Sequence, residues 1–132
     1  MYKSPSLAVD AVVLTEQQVL LVRRKGDPFK KFFALPGGFV EYGETTESAV
    51  LRELKEETGI EGRIKGIAGV FSNPKRDPRK HVVSIAYVIE PTTKELEAGD
   101  DAESCAWFST DNLPELAFDH EEIIKRALEA VK

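Results

Sequence analysis

The sequence predicts an α/β fold, a mixed β-sheet with helices on both faces. Three observations carry that prediction. Strand-like and helix-like runs follow one another in the order β-β-β-α-β-β-β-α, a pattern that packs a sheet against helices. The run from Val82 to Ile89 is mostly apolar on both of its alternating sets, with His81, Val83, Ile85, Tyr87 and Ile89 on one side and Val82, Ser84, Ala86 and Val88 on the other. Such a strand belongs in the middle of a sheet covered twice. Finally, Ile123, Ile124, Ala127, Leu128 and Val131 form a stripe at helical spacing, which supplies one of the covering layers.

The bulk numbers bound the rest. A chain of 132 residues suits one domain, here residues 1–132, able to bury about two-thirds of its unfolded surface. The net charge of −5 gives no general attraction to nucleic acid or to an acidic membrane, so neither is expected as a partner. The N-terminal residues lack the apolar core of a signal peptide, and no apolar run approaches the roughly 18 residues of a membrane span. Cys105 is the single cysteine and has no internal partner for a disulfide, which makes the cytoplasm the simplest location.

Taken in order, Leu7 to Leu14 and Val19 to Val22 read as a hairpin turning at Gln17-Gln18. Asp10 interrupts the first strand and calls for an edge or a polar neighbour. Arg23, Arg24 and Lys25 close the second strand before Gly26-Asp27-Pro28 turns the chain. Phe29, Phe32 and Phe33 then stand among Lys30 and Lys31, either as rings capping the core or, for one of them, as a contact to a planar base. Leu35-Pro36-Gly37-Gly38 breaks regular structure, and its glycines permit close approaches that a Cβ forbids. A helix follows, capped by Thr45 or Thr46, with Glu47 near its positive end and Gly59 past its last turn.

Gly62 to Ser72 is a strand interrupted by glycines, and the four cations of Asn73 to Lys80 lie in a loop that cannot be helical. After the central strand, Ala98 to Glu103 reads as an acidic loop and Cys105 to Phe108 as a short strand holding a buried structural thiol. Asp119 and Glu122 have the spacing of a capping box at the start of the closing helix. His120 beside them fits capping or packing better than catalysis.

The first helix concentrates like charge. Glu53, Glu56 and Glu57 follow Arg52 within one and a half turns, and like charges at such spacings cost a few tenths of a kcal/mol per pair, about 0.2–0.5. Advancing about 100° per residue buries Val50, Leu51, Leu54 and Thr58 on one stripe. Glu53 and Glu57 then border this stripe, whereas Glu56 turns outward within reach of Arg52. Carboxylates at a core seam need partners, and a hard divalent cation is the natural one.

These residues resemble the Nudix family. Gly38, Glu44, Arg52, Glu53, Leu54, Glu56, Glu57, Gly59 and Ile60 match every fixed position of the Nudix box: glycine, five residues, Glu, seven residues, Arg-Glu-aliphatic, one residue, Glu-Glu, one residue, Gly-aliphatic. The resemblance covers nearly the whole chain. It implies the Nudix α/β/α sandwich and hydrolysis of a nucleoside diphosphate linked to another group, with Mg2+ or Mn2+ as cofactor. It also implies Glu53, Glu56, Glu57 and the Gly37 carbonyl as metal ligands, with Arg52 and Glu44 orienting them. In this family the base that takes the water's proton is a helix glutamate or an acidic residue of a distal loop, here Asp100, Asp101 or Glu103, of which Glu103 is chosen as the catalytic candidate.

Outside the box the chain looks most like small ADP-ribose pyrophosphatases. Pro74 lies 14 residues beyond Ile60, near where that group carries a proline, and Arg76-Asp77-Pro78-Arg79, Gly99-Asp100-Asp101 and Leu116-Ala117-Phe118-Asp119-His120 share its pattern. Lys80 departs from it, since many relatives have glycine there. ADP-ribose, split to AMP and ribose 5-phosphate, is therefore the expected substrate, with Arg23, Arg24, Arg76 and Arg79 as its candidate contacts. The alternatives are a housecleaning nucleoside triphosphate or another nucleotide sugar. A different class, the ADP-ribose-binding sensor, carries a winged helix. A chain ending at Lys132 with an intact box favours the enzyme instead. A homodimer is the expectation from the ADP-ribose group.

Overall fold

The computed structural model describes residues 3–97 and 102–131. Among the described residues nine elements follow one another: β1 (Ser6–Thr15), β2 (Gln18–Arg24), β3 (Phe33–Ala34), β4 (Gly37–Phe39), α1 (Thr46–Thr58), β5 (Gly62–Phe71), β6 (Val82–Pro91), β7 (Ala102–Ser109) and α2 (His120–Ala130). The sheet has seven strands in the order β3-β2-β1-β6-β5, with β4 paired to β1 and β7 to β2. It is mixed, as expected, because β1 and β6 run parallel from Ser6↔Val82 to Val13↔Ile89 while the other pairs are antiparallel.

Strand β6 lies between β1 and β5, and the side-chain alternation of the central strands sorts two cores. Val9, Ala11, Val13, Tyr87 and Ile89 pack on Ala49, Val50 and Leu54 of α1. Val12, Ala86 and Val88 pack on Ile123, Ile124 and Ala127 of α2. The helices therefore cover opposite faces, which is the sandwich the sequence predicted. Among the described residues, no helix is long and apolar enough to cross a membrane.

One edge of β1 is shared. Near its start Ala8, Val9 and Asp10 pair with Phe39, Gly38 and Gly37 of β4, whereas β2 pairs only at Leu14 and Thr15. The sheet splits between these partners, and Leu35-Pro36 runs through the gap, tied by the Ala11 amide donating to the Pro36 carbonyl at 2.8 Å. The glycine segment is thus seated on a central strand, directly beneath α1.

Several local expectations need correction. Of the two alternatives for Asp10, the polar neighbour holds and the edge does not, since Asp10 is buried in a central strand and accepts from Ser84. Strand β7 begins at Ala102, so Ala102 and Glu103 belong to a strand and not to the acidic loop. Asp100 and Asp101 lie outside the described residues, as does the side chain of Glu103. Ala49 joins the buried stripe of α1, and Leu51 is only partly buried. The Asp119 side chain makes no cap bond at the start of α2, because Arg76 holds it.

Candidate functional site

Helix α1 begins and ends where its sequence says it should. The Thr45 hydroxyl accepts from the Ser48 amide at 3.1 Å, a cap contributing about 1 kcal/mol. Gly59 closes the helix at φ 77°, a left-handed conformation that glycine adopts without penalty. With both ends fixed, Glu53 and Glu57 stand half-buried beside the core stripe while Lys55 and Glu56 face water.

Arg52 gathers the carboxylates. Its Nε and Nη2 donate to the two oxygens of Glu44 at 2.6 and 2.9 Å, a bidentate pairing. Its Nη1 donates to Glu53 at 2.8 Å and to Glu56 at 3.3 Å, with Glu41 at 3.7 Å. The Arg52 hydrogen bond, helped by the Glu41 amide, lowers the Glu44 carboxyl to about 2. Glu53 is pushed the other way, because its burial outweighs the attraction of Arg52. One guanidinium thus faces four carboxylates within 4.0 Å, and the group carries surplus negative charge.

The two glycines of β4 are required by contact. A Cβ on Gly38 would stand 2.0 Å from Glu53 Oε2, and one on Gly37 would stand 2.2 Å from the Val9 carbonyl oxygen. The Glu53 carboxylate is therefore pressed against the Gly38 main chain. Beside it, the Gly37 amide donates to Glu57 Oε2 at 2.8 Å. All three functional stretches meet here: β1, the glycine strand and the acidic helix face.

Beneath the glycine strand lies a buried polar cluster. Asp10 accepts from the Ser84 hydroxyl at 2.5 Å, and its carboxylate stands 3.5 Å from His120 Nε2 and 4.0 Å from Arg76 Nη2. His120 Nδ1 accepts from the Leu35 amide at 2.9 Å. Arg76, whose side chain is 5% exposed, donates twice to Asp119 at 2.9 and 2.6 Å. Burial lowers the His120 pKa below its ordinary value, against the pull of Asp10 and Asp119. No buried side-chain nitrogen or oxygen among the described residues lacks a partner.

A small open cleft lies over the buried cluster and reaches the acidic group through the glycine strand, with Gly38, Phe39, Arg76, Arg79, Phe118 and His120 on its walls. Phe118 has φ 54°, a costly conformation for a bulky side chain, of order 1–3 kcal/mol. Its ring packs on Phe29 at 4.8 Å, and the guanidiniums of Arg24 and Arg79 lie 5.0 and 6.0 Å from its centroid. Burial and the neighbouring Arg79 both lower the Arg24 pKa, whereas Asp77 and Glu57 raise it. Arg24 thus feels charge from both the basic loop and the acidic helix.

The expected residues sort into distinct places. Glu44, Arg52, Glu53 and Glu56 form one network, and Glu57 joins it through the glycine strand. Arg24 and Arg79 flank Phe118, and Asp77 holds Arg79 at 2.8 Å. Arg76 reaches the cleft wall with its guanidinium engaged by Asp119. Arg23 stands apart, donating to the Lys31 carbonyl and lying over Phe33. The aromatic loop caps the core, since Phe29 and Phe32 pack around Val22, Ala34 and Ala117. Asp10 and Phe118 were not singled out as site residues from the sequence. An acidic residue within an apolar strand was the available signal for the first, and the Leu116 to His120 stretch for the second. Among the described residues, no three acidic, histidine or cysteine side chains already converge as a ligand group.

Comparison with known proteins places the arrangement. The family model for the NUDIX domain matches residues 4–128. An ADP-ribose pyrophosphatase of Methanocaldococcus jannaschii is 54% identical over 125 residues, covering 95% of this chain and 74% of that protein. An ADPR responsive transcriptional repressor of Acinetobacter baylyi is 31% identical, and this chain covers 54% of its length with 96% of its own. The NUDIX domain of Shewanella oneidensis NrtR, solved in complex with ADP ribose, superposes with a TM-score of 0.90 at 30% identity, covering 99% of this chain and 91% of that one.

Proposed function

The chain belongs to the Nudix family of hydrolases, and from that premise we propose that it cleaves ADP-ribose to AMP and ribose 5-phosphate in the cytoplasm, with Mg2+ or Mn2+ as cofactor. One observation carries the reading. Carboxylates in surplus gather around Arg52 beside the glycine strand, and Arg24, drawn together with Arg79 around Phe118, feels the charge of Glu57 on α1. The acidic side suits a cation, and the basic side suits the phosphates of an anionic substrate. The kinship with an ADP-ribose pyrophosphatase and the ADP-ribose held by a neighbour of 0.90 TM-score favour this nucleotide.

The donor set fits a hard cation, since Glu53, Glu56, Glu57 and the Gly37 carbonyl offer only oxygen. Glu53 is pinned by Gly38 and Arg52, and Glu57 by the Gly37 amide, so both are held in orientation. Glu56 is exposed and its bond to Arg52 is a long 3.3 Å, which leaves it able to turn. When bound, the cation offsets phosphate charge and lowers the pKa of a coordinated water. Arg52, held bidentately by Glu44, keeps the ligands in place. Arg24 and Arg79 neutralise the diphosphate and the Phe118 ring offers an apolar wall. A box glutamate or Glu103 accepts the proton of the attacking water. The homodimer belongs to the same reading, supported by β5, which ends the strand order among the described residues and leaves Ile67 and Val70 exposed.

The test is a panel of ADP-ribose, other nucleotide sugars, dinucleoside polyphosphates and oxidised nucleoside triphosphates, each assayed with and without Mg2+. ADP-ribose should show the highest kcat/KM and yield AMP. A higher value for an oxidised triphosphate would replace the substrate, and tight ADP-ribose binding without turnover would make the domain a sensor.

A further inference from the structure

His120 is a buried histidine that the proposed chemistry does not use, and its surroundings are unusually specific. The ring is buried at the start of α2, 85 residues from its partner Leu35. Its Nδ1 is an acceptor, because the group facing it at 2.9 Å is the Leu35 main-chain N–H. A neutral imidazole with Nδ1 accepting must carry its proton on Nε2, and Nε2 faces the Asp10 carboxylate at 3.5 Å. Asp10 pairs in register with Gly37. Leu35 opens the stretch that runs through Pro36, tied to Ala11, to the Gly37 amide on Glu57. The ring is thus the far anchor of the segment that presents Gly37 and Gly38 to the acidic helix.

We infer that His120 is a positioning residue for the Nudix box, its neutral Nε2–H ring fixing the Leu35 to Gly38 strand so that Gly37 meets Glu57. The neighbouring residue strengthens the point. Asp119 holds Arg76 of the basic loop, so two consecutive residues at the start of α2 tie both walls of the cleft to one helix end. The inference rests on the Nudix reading of the box but not on the identity of the substrate.

Two substitutions separate positioning from packing. Asparagine places its amide where Nδ1 was and keeps an acceptor for Leu35. Glutamine places its amide near Nε2 and leaves the Leu35 amide unpaired. In metal-free protein, hydrogen exchange at Leu35 and Gly37 should accelerate about tenfold in H120Q after correction for global stability, and stay within about threefold of wild type in H120N. With Mg2+, H120Q should lose about tenfold in kcat or in Mg2+ affinity with KM for the nucleotide little changed, and H120N should recover most of it. Nitrogen shifts of His120 in the wild-type protein should report the Nε2–H tautomer, with a coupling across the hydrogen bond to Leu35 nitrogen. The opposite tautomer, unchanged exchange in H120Q, or equal losses in both variants (including failure of both to fold) would overturn the inference. Because exchange and tautomer are read without substrate, a failed ADP-ribose assay would refute the substrate alone.

Discussion

Two arginines organise the charged residues of this protein, and they do so in opposite ways. Arg52 is about a quarter exposed and is outnumbered by the carboxylates of Glu41, Glu44, Glu53 and Glu56. Arg76 is buried and matched, with Asp119 held bidentately and Asp10 close by. A buried ion pair contributes little net stability over an apolar replacement, yet breaking one partner is costly. Arg76 and Asp119 therefore serve shape, joining the loop before β6 to the start of α2. The Arg52 group leaves negative charge uncompensated beside a cleft, and surplus charge held in fixed geometry is what a cation-assisted reaction needs. In the proposed reading, completeness marks the scaffold and deficit marks the chemistry.

The largest effect that would break this contrast is on activity. Glu57→Gln keeps an oxygen to accept the Gly37 amide but removes the charge. Turnover in Mg2+ should fall at least about a hundredfold, beyond the usual cost of losing a supporting group, while the melting temperature stays within a few degrees. Turnover near wild type at saturating Mg2+ would remove Glu57 from the ligand set. Gly38→Ala attacks the same group through space, since its Cβ would stand 2.0 Å from Glu53 Oε2. It should lower kcat about tenfold by displacing that carboxylate, and unchanged kinetics would show that Glu53 has room to move.

The matched arginine should answer differently. Arg76→Ala leaves Asp119 and Asp10 without their cation and should cost about 3 kcal/mol of stability, read from the denaturant midpoint. The sequence made Arg76 a substrate contact whose loss would raise KM. A rise in KM with no loss of stability would restore that role as the dominant one.

The same contrast explains which parts were legible in the sequence. The acidic helix face is local: a period of about 3.6 residues and two good caps suffice to put Glu53 and Glu57 beside the core and Glu56 outside. The two-faced apolar pattern of β6 likewise contains its own interpretation. The buried cluster is assembled from residues far apart, with Arg76 43 positions from Asp119, Ser84 74 from Asp10, and Leu35 85 from His120. No spacing rule relates such residues, so Asp119 was read as a helix cap when its carboxylate is spent on Arg76. Phe118 was similarly hidden, because a left-handed φ in a bulky residue is imposed by tertiary packing.

The smallest effect is a difference in the pH at which the two groups weaken. Burial lowers the His120 pKa, so the unfolded chain takes up this proton first, near its ordinary value of about 6.5. Stability from the neutral ring is full above that pH and declines as pH falls below it, until the folded ring also protonates. Glu44 behaves in the same direction but in a lower window. Its carboxyl is lowered from 4.5 to about 2, so its contribution is present above 4.5 and is lost as pH falls through about 2. Between pH 7.5 and 5.5 the denaturant midpoint should therefore fall because of the buried cluster, with Glu44 contributing nothing to the change. In H120N this fall should be largely absent. A wild-type decline that persists undiminished in H120N would place the titrating group elsewhere and remove the buried cluster as the acid-sensitive half of the molecule.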